Sequence, residues 1–75
     1  MKLSPGDTVH YPANRAFGLL LKRCKNFLGE PTWEYALMSP KPGGTRYLIK
    51  IDSASEEQFL ESIGNGRLEY YAKSG

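Results

Sequence analysis

Thr32–Met38 (TWEYALM) alternates without a break: Trp33, Tyr35 and Leu37 point one way, Thr32, Glu34 and Ala36 the other. A repeat of two is that of a pleated strand, whose successive side chains face opposite sides, and not that of a helix. The flanks enforce the reading. Asn26, Gly29 and Pro31 make KNFLGEP a hairpin connection, and the two prolines and two glycines of SPKPGG exclude any regular element there. A chain with this strand at its centre must place others beside it.

The neighbours are legible by the same rule. In LSPGDTVHYP, Pro5-Gly6-Asp7 is a turn: proline presets φ, glycine accepts a positive φ, and the aspartate can bind nearby backbone. Thr8-Val9-His10-Tyr11 is then a short edge strand, with Val9 and Tyr11 on one face, stopped by Pro12. Phe17, Leu19 and Leu21 alternate with Gly18, Leu20 and Lys22 in a strand running toward Cys24, and Gly18 reads as a bulge or tight bend. Tyr47, Ile49 and Ile51 alternate with Arg46, Leu48 and Lys50 in another.

At Asp52 the period changes. SASEEQFLESIGNG carries serines at N-cap positions, acidic residues in the first turn, and the spacing Ser55…Gln58 of a capping box. Phe59, Leu60 and Ile63 share one helical face, Glu56, Glu57 and Glu61 point away from it, and Gly64 or Gly66 closes the helix. RLEYYAK is a last strand. The expected core gathers Trp33, Tyr35, Leu37, Tyr47, Ile49 and Ile51 under Phe59, Leu60 and Ile63.

The order of turn, four strands, one helix and a final strand resembles the SH3-like small β-barrel superfamily, which includes KOW, Tudor and SH3 domains. The likeness rests on LSPGDTVHYP as an entry strand and on the helix before the last strand. It implies a mainly β chain, a small barrel of about five antiparallel strands with one short helix before the last, over residues 1–75 as a single domain. The acidic peptide-binding signature of true SH3 domains is absent, and FGLLLK is only a loose version of the KOW glycine pattern.

Seventy-five residues supply one small core, worth roughly 3–5 kcal/mol, and leave no room for a large substrate pocket. No small-molecule substrate and no cofactor are expected. Cys24 is the single cysteine and His10 the single histidine, so no intrachain disulfide and no cysteine-based metal site can be built, and nothing in the sequence proposes a nucleophile and orienting group around His10 as a catalytic base. MKLSPGD has no apolar stretch of a secretory signal, and AFGLLL is too short to span a bilayer. These features lead to the expectation of a non-catalytic cytoplasmic protein without a membrane partner.

The net charge of +2 conceals an asymmetry: residues 1–51 hold eight basic and three acidic side chains, residues 52–75 two and five. Two surfaces follow. Glu56, Glu57 and Glu61 with an outward Tyr71 form a contact surface for a basic protein, making the chain an adaptor or accessory, regulatory subunit. The alternative is a basic face of Lys22, Arg23, Lys25, Lys41, Arg46 and Lys50 that binds nucleic acid.

Overall fold

The computed structural model describes residues 1–44 and 46–73; Thr45, Ser74 and Gly75 lie outside the described residues. In chain order it contains β1 (Thr8–Tyr11), β2 (Ala16–Lys25), β3 (Pro31–Pro40), β4 (Tyr47–Ser55), α1 (Glu56–Gly64) and β5 (Glu69–Tyr71). The five strands make one sheet in the order β4-β3-β2-β1-β5, each neighbouring pair antiparallel, so β1, expected at an edge, is an interior strand, and the edges are β4 and β5. The chain is thus mainly β, with one short helix before the last strand, as its alternation and capping residues indicate. No helix among the described residues is long and apolar enough to cross a membrane.

Turn chemistry sets the strand ends. Gly6 takes φ +92°, and the Asp7 carboxylate accepts the Ser4 N–H at 2.9 Å. The Asn26 side-chain oxygen accepts the N–H groups of Leu28 and Glu30, closing the β2–β3 connection. Gly18 is not the bulge. The register shift falls between Leu20 and Lys22, with Leu21 as the extra residue. Gly18 is small for another reason: a Cβ there would stand 3.0 Å from Val9 and 3.3 Å from a Tyr35 ring carbon. Side chains from both neighbouring strands fill that space.

The helix starts directly from the end of β4. Ser55 is the N-cap, its hydroxyl accepting the Gln58 N–H at 3.1 Å, which satisfies one of the donors a helix start leaves open. Asn65 closes the far end, and Gly66 follows at φ +84°. Phe59 is buried, and Leu60 and Ile63 pack beside it on the cluster of Leu3, Val9, Leu20, Trp33, Tyr35 and Leu68. Tyr35 and Phe59 meet edge to face with centroids 5.2 Å apart.

One part of the expected core is corrected. Trp33 and Tyr35 are buried and Leu37 packs against the cluster, but Tyr47, Ile49 and Ile51 are exposed. The reason is register. Trp33 stands opposite Ala54, Tyr35 opposite Asp52 and Leu37 opposite Lys50, so odd residues of β3 share a face with even residues of β4. Since α1 follows β4 with no connecting residue, the strand must bring the Ser55 cap beside Thr32 and a small Ala54 beside Trp33, where Phe59 needs the space. That turns Tyr47, Ile49 and Ile51 to the reverse face.

Candidate protein-interaction surface

The reverse face is built from two rows that cross all five strands. One runs Glu69, His10, Phe17, Met38, Ile49; the other runs Tyr71, Thr8, Leu19, Ala36, Ile51. Cross-strand neighbours on one face touch, so each row is a continuous strip. At its β5 end the first strip is polar: His10 Nδ1 lies 2.5 Å from a Glu69 carboxylate oxygen, and the His10 ring leans on Phe17 at 4.6 Å between centroids. Toward β4 both strips become apolar. Ile49 is 70 % exposed and Ile51 56 %, with exposed Tyr47 beside them and half-buried Phe17, Leu19 and Met38 behind.

The helix lies on the other side of the sheet, against Trp33 and Tyr35, and nothing among the described residues covers this one. Isolated exposed apolar side chains are ordinary, whereas a contiguous patch marks a contact surface. Alternation read along β4 gives its apolar residues to the core and so misses this face. The available signal is an excess: Leu48 and its neighbours Tyr47 and Ile49 make β4 apolar on both sides, more than one small core can absorb.

The residues expected to contact a protein separate. Tyr71 is exposed on the open face, opposite Thr8. Glu57 and Glu61 lie on the helix side, where with Glu30, Pro31 and Leu60 they line an open groove of about 590 Å³. Glu56 lines it too but is committed elsewhere. One of its oxygens accepts the Trp33 indole N–H at 3.2 Å and the Arg23 Nε–H at 3.3 Å, and the other accepts from the Arg23 guanidinium at 3.0 Å. The hydrogen bond from Arg23 is the foremost reason its carboxyl is held below the usual range, against the opposing effect of burial. Glu56 is therefore a structural tie between α1, β2 and β3, and the expectation that all three glutamates point away from the sheet holds for Glu57 and Glu61 alone.

The basic residues separate as well. Lys22, Arg23 and Lys25 stand near the end of β2 that pairs with the start of β3, and Lys41 and Arg46 flank the connection beyond its other end. Arg23 is bound to Glu56, while Lys22 and Lys50 lie 3.9 and 4.0 Å from Glu34 and Asp52. Among the described residues the six do not converge on one groove: Arg23 and Lys41 line separate ones. At the β3–β4 tip, Arg15, Lys41 and Tyr47 line an open cleft of about 840 Å³ with Pro40, Pro42 and the adjoining glycines.

A second tie closes the chain ends onto the core. Asp7, only 3 % exposed, accepts the Tyr70 hydroxyl at 2.6 Å and the N–H groups of Ser4 and Lys73, each at 2.9 Å. Burial by itself would raise the Asp7 carboxyl, but these bonds outweigh it and the net direction is down; the same bond pushes the Tyr70 hydroxyl up. His10 pairs with Glu69 within the strip, and no cluster of metal-ligating side chains occurs among the described residues. No family model, curated protein or solved structure matches this chain.

Proposed function

We propose that this chain is a non-catalytic protein-binding module, an adaptor or accessory subunit, that docks through the open face of its sheet. The observation that carries the reading is the exposure of Ile49 and Ile51 at the end of two apolar strips while a full core lies on the opposite face. Apolar surface of this kind gains free energy when a partner removes it from water. Tyr71 extends the same face at the β5 end, and a ring with few rotatable bonds costs little to order on contact. The acidic groove beside α1 is a separate feature that steers basic partners by its charge. The strand order, with the helix before β5, supports the SH3-like reading of the architecture.

A photo-crosslinking residue at Ile51, compared with one at Glu57, tests the docking face in the native host after nuclease treatment. The expected outcome is an adduct of this chain with one different protein from position 51, distinct in mass from two joined copies of the chain, and none from position 57. Adducts that vanish with nuclease would favour the second reading, nucleic-acid binding at the tip. That reading rests on Arg15, Lys41 and Tyr47 around one cleft, with Arg46 alongside. Crosslinks from neither position remove the docking face.

A further inference from the structure

The two edges of the sheet are guarded very differently. β5 is three residues long, whereas β4 is nine, contains no proline, and pairs with β3 without a register shift. Shortness, proline, bulges and charge are the usual means by which an edge avoids pairing with another chain. The one lysine on β4, Lys50, has Asp52 at 4.0 Å.

The backbone direction along β4 follows from its ladder. The Lys41 N–H donates to the Arg46 carbonyl at 3.0 Å, in register with Pro40↔Tyr47 and Ser39↔Leu48. Hydrogen-bonded and non-hydrogen-bonded pairs alternate in an antiparallel ladder. Leu48, Lys50 and Asp52 therefore direct their backbone groups to β3, and Tyr47, Ile49 and Ile51 direct theirs to the free edge. The residues with outward backbone are also those whose side chains lie on the open face.

We infer that the occupant of this edge is a second copy of the chain, paired antiparallel through β4 about a two-fold axis at Ile49. Two-fold registers centred on Ile49, Lys50 or Ile51 would all bring outward backbone groups together, and the side chains discriminate among them. Centring on Lys50 sets that lysine against its own copy. Centring on Ile51 sets Ile49 against Ser53 and Tyr47 against Ser55. Centring on Ile49 sets Ile49 against Ile49 and Tyr47 against Ile51 on the open face. On the other face it sets Leu48 against the Lys50 stem and Arg46 against Asp52, each twice. Like residues meet, unlike charges meet, and the pairing ends at Asp52, short of the helix that begins at Glu56. The open faces of the two copies merge into one surface. The inference deepens the docking reading by committing to the occupant of one edge of that face.

Charge exchange tests both the association and its register. The parent chain is expected to sediment as a concentration-dependent dimer. Arg46→Asp sets a new carboxylate against Asp52 of the other copy, and Asp52→Arg sets a new guanidinium against Arg46, each twice. Either variant alone should raise the dimer Kd by about tenfold or more. Mixed in equal amounts, the two variants should form a heterodimer, because both contacts become complementary again. N-methylation of the Ile49 amide in a synthetic chain should abolish the dimer without changing the melting temperature of the monomer. The same change at Lys50, whose N–H bonds to β3, should lower that temperature. A parent chain that stays monomeric at its highest soluble concentration overturns the inference, as do single variants that dimerise like the parent or a mixture that fails to restore association. A monomeric parent leaves the Ile51 crosslink to another protein standing, and loss of that crosslink leaves the dimer standing, so the two readings fail separately.

Discussion

The two faces of this sheet are built from similar residues and have different fates. On one, Val9, Leu20, Trp33 and Tyr35 are closed over by Phe59 and Leu68 and tied at two points by the carboxylates of Glu56 and Asp7. On the other, Phe17, Leu19, Met38, Ile49 and Ile51 form strips that no element among the described residues covers. Apolar character therefore does not distinguish core from surface here. Closure does, and closure depends on where α1 lands. A nine-residue helix shields the side of the sheet bearing Trp33 and leaves the reverse side bare. The contrast teaches that folding closes one face of the sheet and leaves apolar side chains of the other in water.

The largest break in the comparison should come from truncation on the closed face. Trp33 is fully buried, fills the space beside Ala54 and donates its indole N–H to Glu56. Trp33→Ala should cost about 3–5 kcal/mol, most of what a domain of this size possesses. Chemical denaturation would show the variant largely unfolded in buffer. If it retains a cooperative transition near the parent's midpoint, the closed face is not the core.

How far the sequence discloses this contrast can be followed residue by residue. Trp33 and Tyr35 are legible because Thr32–Met38 alternates without a break, although the strand itself takes in Pro31 and runs on through Ser39 to Pro40, residues read as breakers. The Ser55 cap is legible because capping is local chemistry, confined to four residues. The face of β4 is not, because it depends on pairing parity across the Lys41–Arg46 connection and on the position of a helix that comes later in the chain. A one-residue change of register exchanges every side chain between faces, and β4 is apolar enough on both sides to hide the difference. Glu56 escapes for a related reason. Its spacing matches that of Glu57 and Glu61 as a solvated group, and only the third dimension brings Trp33 and Arg23 to it.

An intermediate effect should arise at Asp7, which ties the first turn to the last strand. Asp7→Asn loses the full charge that three donors address, and should cost about 1–3 kcal/mol. The pH dependence has a definite sign. The folded-state value lies below the ordinary 3.8, so the folded protein holds this proton less readily than the unfolded chain does. The contribution is therefore complete above about 3.8 and is lost as pH falls through the lower folded value. Glu56 is shifted in the same direction and adds to the same acid limb. Melting temperature against pH should fall more gently below about pH 4 for Asp7→Asn than for the parent, and an unchanged acid limb would remove Asp7 from the account.

The smallest effect should come from the open face, and it sharpens the comparison most because a conventional reading of the strand demands the opposite. Were Ile49 in the core, its truncation would cost about 2–5 kcal/mol. At 70 % exposure it leaves few contacts to lose. Ile49→Thr keeps a β-branched side chain and hence the strand preference of the position, and removes only apolar surface. Measured where the chain is monomeric, its unfolding free energy should stay within about 0.5 kcal/mol of the parent's. The denaturant slope should also be unchanged, since the folded sheet exposes the same backbone in both. Binding of a hydrophobic dye to the folded protein should fall, because the variant interrupts the strip from Phe17 through Met38 to Ile49. A stability loss of several kcal/mol would place Ile49 inside the closed face and reverse the register of β4. Unchanged stability with unchanged dye binding would mean that the strips do not act as one surface, and that the two faces differ only in their cover.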